Sequence, residues 1–193
     1  MKKVFFAVIA VIVVLAGGLM LSYNGLAGSK EAVETAEADV DTMLQRRADL
    51  IPNLVNTVKG YASHEKETLD AVVNARAKAT QVTISPDNLN EASLQKYQAA
   101  QGELSQALGR LLMVTENYPD LKANQNFLEL QAQLEGTENR ISTERTRYTD
   151  MVRDYNAMIR RFPASIIAGI GGFDKKPQFT AEAGAEKAPE VKF

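Results

Sequence analysis

The chain has no cysteine and no tryptophan, and it has a single histidine, His64. The missing cysteines exclude disulfides, thiol nucleophiles, thiolate metal sites and a lipid-modified cysteine. They leave the compartment open, since a cysteine-free protein tolerates oxidising and reducing surroundings alike. One histidine excludes a zinc or non-haem iron centre built on two or more imidazoles within one chain. His64-Glu65 has no second histidine four residues after the first, so it is not a zincin motif. No acidic residue precedes Glu31, and proline and glycine are sparse before residue 163. That scarcity, with abundant Ala, Leu, Gln, Glu and Arg, favours helix. Lys2 and Lys3 take two of the 22 basic groups, so the body sets 20 against 24 acidic ones. This balance argues against nucleic acid as a partner, because such domains show a basic excess or stripe. Carboxylates are many, yet none stands with a nucleophile and a base. Gly169-Ile170-Gly171-Gly172 follows a helix and lacks the flanking residues of a phosphate loop, so it reads as a flexible joint. The sequence offers no catalytic residue, no metal ligand set and no cofactor motif.

What is present starts with VFFAVIAVIVVLAGGLML after Met1-Lys2-Lys3. An uncharged apolar run of that length matches the roughly 20 residues that span a bilayer's hydrocarbon core. Residues 4–23 are therefore expected to be a transmembrane anchor, with 1–3 in the cytoplasm and 24–28 as a linker. A cleaved signal peptide is the competing reading, with Gly25-Leu26-Ala27 as its cleavage signal. Lys2 and Lys3 lie on one side of the span, and Glu31, Glu34, Glu37, Asp39 and Asp41 follow on the other. By the positive-inside rule the N-terminus is cytoplasmic and the body is periplasmic or extracellular, against a small opposing contribution from Lys30, Arg46 and Arg47.

Residues 29–162 read as four amphipathic helices. The first, Ser29 to Tyr61, repeats Val33, Ala36, Val40, Leu44, Ile51, Leu54 and Val58 at helical spacing. Pro52 lies inside it and frees the Ala48 carbonyl, so a kink or local opening is expected. The second runs from about His64 to Thr80, with Ser63 as its cap and Leu69, Val72, Val73 and Ala79 inward. The third runs from Pro86 or Asp87 to Tyr118. The fourth, from Leu121 to Phe162, carries Phe127, Leu130, Leu134, Ile141, Tyr148, Val152, Tyr155, Ile159 and Phe162 at steps of three, four or seven. Short turns between the helices make an antiparallel bundle. The second helix is short and the fourth long, which calls for a bend near Gly136 or an overhang. Residues 163–193 form an apolar, Gly-rich segment and then a flexible tail.

Several long strings carry a family resemblance. They are LQRRADLIPNLVNTVKGYASHE from Leu44, NYPDLKANQNFLELQAQLEGTENRI from Asn117, Val152-Arg153-Asp154-Tyr155-Asn156, Phe162-Pro163, AGIGGF from Ala168, and shorter matches at Tyr23-Asn24 and Phe193. In this order they resemble the LemA family over nearly the whole chain. The resemblance implies an N-terminal transmembrane helix and an elongated helical bundle, with no established activity. The sequence departs from the pattern at two places, where members usually carry Trp near Glu37 and Asn at the position of Thr149. The first bears on packing near the membrane or on a partner contact.

The densest polar set is Arg46, Arg47, Asp49, Asn53, Asn56 and Gly60, with Pro52 beside it. It reads either as a partner-binding face or as interhelical hydrogen bonding that fixes register. Glu138 and Arg145 fall on the fourth helix's stripe where apolar residues belong, and Glu138 or Glu116 pairing with Arg47 or Arg145 is expected as a register-setting ion pair. Ile166, Ile167, Ile170 and Phe173 have three readings: membrane interface, docking on the bundle, or a partner contact. Arg160, Arg161, Lys175 and Lys176 flank them and favour anionic headgroups.

The fold expected is all-α: a transmembrane helix, an elongated four-helix bundle and a partly flexible tail. The function expected is a single-pass scaffold or adaptor of the cell envelope that works through other membrane proteins or through self-association. A regulator or partner of a membrane protease or other envelope enzyme is the alternative. A hydrolase with an unrecognised site is a third reading.

Overall fold

A computed structural model describes residues 1–84 and 88–180. Ser85, Pro86 and Asp87 lie outside the described residues, as does the segment from 181 onward that was read as a flexible tail ending in Phe193. The elements are α1 (Lys2–Tyr61), α2 (Lys66–Gln81), α3 (Glu91–Thr115), α4 (Pro119–Lys122), α5 (Gln125–Met158) and α6 (Ala164–Gly171). No strand occurs among the described residues. The fold is the all-α bundle that the periodicity predicts.

α1 is one helix of 60 residues, about 90 Å long. Its N-terminal third is apolar and long enough to cross a membrane, and its hydrophobic side chains from Val4 to Leu21 are exposed. The expected linker at 24–28 is helical. Gly25 and Gly28 weaken a helix by only about 1 kcal/mol each. Leu26 between them is fully buried against Ala164 and Ala168, which holds the turn in place.

The other boundaries move for local reasons. Ala62 is buried and accepts from the Glu65 N–H, so Ser63 and His64 form a turn and α2 starts at Lys66 rather than being capped by Ser63. Val72 faces inward, but Val73 is exposed. α3 starts at a capping box. The Ser93 N–H donates to Asn90 Oδ1 (2.9 Å), and the Asn90 N–H donates to Ser93 Oγ (2.9 Å). The expected fourth helix is two elements, because Asn124 Oδ1 accepts from the Phe127 N–H (3.0 Å) and caps a new start after α4. α5 then runs through Gly136 for 34 residues, about 50 Å. It ends before Phe162, which is 82% exposed instead of closing the stripe.

Two apolar cores follow one another along the bundle. The distal core joins Ile51, Leu54 and Val58 of α1 to Leu69 and Val72 of α2, Leu104 and Leu111 of α3, Leu121, and Phe127 and Leu134 of α5. The proximal core joins Val33, Val40 and Leu44 of α1 to Leu94 and Tyr97 of α3 and to Ile141, Tyr148, Val152 and Tyr155 of α5. α2 and α3 are too short to cover α1 and α5 near the membrane end, so the overhang resolves the unequal lengths. The chain after α6 covers part of it. Asn156 brackets Lys176 in both directions, Nδ2 donating to its carbonyl (2.8 Å) and Oδ1 accepting from its N–H (2.9 Å). The Tyr148 hydroxyl donates to the Pro177 carbonyl (3.0 Å), Phe179 packs edge-on against Tyr148, and Gln98 of α3 donates to the Thr180 carbonyl (2.9 Å). The AGIGGF segment, read from the sequence as a flexible joint, forms the end of helix α6. Gly172 at φ +69° closes α6, and the Phe173 ring comes within 2.8 Å of where a Cβ on Gly171 would stand.

Pro52 sits within continuous helix, and the carbonyl it frees has a partner: Arg76 Nε of α2 donates to the Ala48 carbonyl at 2.7 Å. Charged hydrogen bonds of this kind contribute about 1.5–3 kcal/mol. Arg76→Ala is expected to cost that much in thermal unfolding followed by circular dichroism. In a Pro52→Ala background, where the residue 52 N–H can take the carbonyl, the cost of Arg76→Ala falls below about 1 kcal/mol. Equal costs in both backgrounds would break the link between the proline and the arginine.

Candidate interaction surfaces

Arg47 and its polar neighbours do not stay together as one site. Arg47 points inward and is 1% exposed, whereas Arg46, Asp49, Pro52, Asn53 and Asn56 are all on the solvent side of α1. The steps 46, 49, 53 and 56 keep those four polar side chains on one face, a row about 15 Å long. Asp49 accepts from Gln45 (2.8 Å), and Arg46 makes no ion pair among the described residues. Of the α1 residues in this set, Arg47 is the one that makes interhelical hydrogen bonds. Arg46, Asp49, Asn53 and Asn56 form an exposed row of one guanidinium, one carboxylate and two carboxamides.

The Arg47 guanidinium is held from two helices. Nη1 donates to Glu138 Oε2 of α5 (2.8 Å) and to Ser105 Oγ of α3 (3.0 Å), and Nη2 donates to Gln101 Oε1 of α3 (2.6 Å). Gln101 in turn donates to the Ala79 carbonyl (3.4 Å), one of the last carbonyls of α2, which have no partner within their own helix. One arginine thus links all four long helices in a polar layer between the two apolar cores. Glu138 is the expected partner. Glu116 instead pairs with Lys122, and Arg145 lies over the Phe179 ring at 5.4 Å.

The tail residues also separate. Ile167 and Phe173 are half-buried against the Leu26 cluster, with Phe173 edge-on to Tyr23. Ile166 and Ile170 face outward, 48% and 83% exposed. Asn156, which the sequence reading passed over, is the residue that fastens the chain after α6. Its signal was a carboxamide beside the Val152, Tyr155, Ile159 stripe, where an amide is kept inside only if something there needs two hydrogen bonds.

A cavity of about 200 Å³ opens in the proximal region among Glu34, Glu37, Asp41, Tyr97, Tyr148 and Phe179. It lies in the neighbourhood where the resemblance leads one to expect Trp. The Tyr97 hydroxyl donates to Asp41 there (3.1 Å). Burial first, and then Asp41, push the Tyr97 phenol well above its usual range, and burial does the same to Tyr148. Oε2 of Glu37 is buried with no hydrogen-bond partner among the described residues. Burial raises the Glu37 pKa above its ordinary 4.5; Lys176 works against the shift, and Glu34 and Asp41 add to it.

Comparisons with known proteins extend the family resemblance. The profile of the LemA family matches residues 36–193. Magnetosome protein MamQ 2 of Paramagnetospirillum magneticum is 25% identical over 190 residues, covering 90% of this chain and 70% of its own length. Magnetosome protein MamQ of Magnetospirillum gryphiswaldense is 23% identical with the same coverage. Protein LemA of Metamycoplasma hominis is 22% identical over 145 residues, 75% of this chain and 63% of its own.

Removing Glu138 strands a buried cation, whereas removing Arg47 leaves a carboxylate that is already 53% exposed. Glu138→Ala is therefore expected to cost about 1–3 kcal/mol, the usual loss for a broken buried pair discounted for that exposure. Arg47→Met, which fills most of the volume, is expected to cost less than Glu138→Ala. The reverse order in denaturant unfolding would mean that packing, not charge, fixes this layer. At Glu37 the folded pKa is raised, so its ionised form is disfavoured by folding at neutral pH and protonation relieves this on acidification. Glu37→Gln should raise the melting temperature at neutral pH, and the gain should shrink as the pH falls toward 4.5. A gain that does not change with pH would refute the assignment.

Proposed function

Because the chain belongs to the LemA family, we propose that it is a membrane-anchored helical scaffold or adaptor of the cell envelope, acting without catalysis through contacts with other membrane proteins. Its N-terminus lies in the cytoplasm, residues 4–23 are the retained anchor, and the bundle projects outside. The single observation that supports this most is the unbroken α1. The apolar span and the first bundle helix are one element, so the bundle is held in line with the span and its tip stands roughly 55 Å along the helix from residue 23. A geometry of that kind suits presentation of a surface at a distance. Retention of the anchor draws on Leu26, which is buried in the middle of the candidate cleavage signal. The orientation draws on Lys2 and Lys3 before the span and the acidic residues after it.

The partner face assigned here is the exposed row Arg46, Asp49, Asn53 and Asn56. A helix backbone fixes the spacing of these donors and acceptors before binding, so only side-chain rotamers are ordered when a partner docks.

Asn53→Cys tests both parts, since no native thiol competes. A membrane-impermeant maleimide should label Asn53→Cys in intact cells; labelling only after lysis would reverse the orientation. A photocrosslinker on the same thiol should capture an envelope membrane protein, and Arg46→Glu should abolish the capture. Capture that survives Arg46→Glu, or that occurs only from α5 at Leu128→Cys, would remove this row as the partner surface.

A further inference from the structure

The outer face of α6 has no partner in the bundle. Ile166 and Ile170, one turn apart, are 48% and 83% exposed, and Phe162, in the turn that precedes the helix, is 82% exposed. The opposite face is fixed: Ala164 and Ala168 are buried on Leu26, Ile167 leans on the same cluster, and Phe173 reaches down to Tyr23. Two large apolar side chains on one helix face with a third beside them leave a continuous apolar area in water, at a cost that grows with that area.

Its position says what covers it. If residues 4–23 fill the hydrocarbon core, Leu26 stands about 5 Å above its edge. α6 is pinned at that height, and Tyr23, 51% exposed, lies where an interfacial aromatic belongs. Exposed apolar surface thus continues from α1 onto α6. Charge agrees with this placement. Between residues 160 and 176 the chain carries Arg160, Arg161, Lys175 and Lys176 against Asp174 alone, and the first three of these cations are exposed. Lys176 is half-buried and faces Glu37.

We propose that α6 is an interfacial helix whose outer face, Ile166 and Ile170, rests together with the preceding Phe162 in the boundary between headgroups and acyl chains of the bilayer that α1 crosses, while Arg160, Arg161 and Lys175 hold anionic phospholipid headgroups. Interfacial helices of this sort bury their apolar face about 5–10 Å into that boundary. The chain then has two contacts with one membrane. The second sets the rotation of α1 about its own axis, which a single spanning helix leaves undetermined. This inference rests on the reading of 4–23 as the span.

The test uses the full chain reconstituted in vesicles of phosphatidylcholine and phosphatidylglycerol, with single cysteines at Val11, Ile166, Ile170 and Leu128 carrying an environment-sensitive fluorophore. All four positions are exposed, so folding is not at stake. Lipids spin-labelled at a shallow or a deep acyl position report depth. Quenching is expected to be strongest from the deep label at Val11, strongest from the shallow label at Ile166 and Ile170, and absent at Leu128 near the far end of the bundle. No quenching at Val11 would overturn the span itself. Quenching at Val11 with Ile166 and Ile170 behaving like Leu128 would overturn the interfacial helix alone. A blue shift at Ile170 that vanishes when the protein is diluted, without quenching by lipid, would mean that a second copy covers the face, which also overturns it. Equal shallow quenching after phosphatidylglycerol is replaced by phosphatidylcholine would overturn the headgroup role of the arginines and Lys175.

Discussion

A guanidinium buried among hydrocarbon has to be met by acceptors in fixed places, and the arrangement of this bundle depends on that requirement at Arg47. Apolar stripes are permissive: a helix slid by one turn, about 5.4 Å, still finds leucines and valines opposite its own. The same slide would carry Arg47 away from Glu138, Ser105 and Gln101 and leave a charge without partners, which costs far more than a misfitted methyl group. Because Gln101 passes the link on to the end of α2, the hydrogen bonds that start from one side chain reach four helices. Position 48, next along α1, adds a second tie to α2 through Arg76. The polar layer and the proline defect are therefore parts of one device at the midpoint of the bundle.

On either side of that layer the packing differs in kind. The distal half is an ordinary bundle in which four helices and the α4 turn close around leucine, valine and phenylalanine. The proximal half has α1 and α5 with only the start of α3, and it is completed by extended backbone rather than by another helix. Extended chain on a helix surface leaves its N–H and C=O groups without a ladder, so side chains must satisfy them. Asn156, Tyr148 and Gln98 do this for residues 176–180. The less regular half is the one beside the membrane, and it also holds the cavity with its buried, hydrogen-bond-orphaned Glu37 oxygen.

Much of this was legible in the sequence because it is periodic. The stripes of α1 and α5, the apolar span and the bundle architecture all follow from spacing at three and four residues. The Arg47–Glu138 pair was legible because Glu138 breaks a stripe and Arg47 lies close to another. What was hidden depended on partners distant in sequence. Spacing separates Arg47 from Arg46, since Arg47 stands three residues after Leu44 and four before Ile51 on the α1 stripe, but its acceptors Ser105 and Gln101 on α3 follow from no local pattern. Asn90 and Asn124 as caps were masked by nearby Pro86 and Pro119, stronger punctuation on paper. The fastening by Asn156 involves a backbone twenty residues away, for which no short-range pattern exists.

The continuity of α1 has a mechanical consequence. Spanning helices tilt by about 20° on average, by an amount that responds to the thickness of the surrounding bilayer. With a hinge at the surface, such a tilt would be absorbed where chain and membrane meet. Here there is no hinge, and the helix acts as a lever arm: a tilt of about 20° about its exit point sweeps the far end sideways by roughly 20 Å. The reach of the distal tip is in this way geared to the thickness of the lipid in which the other end sits.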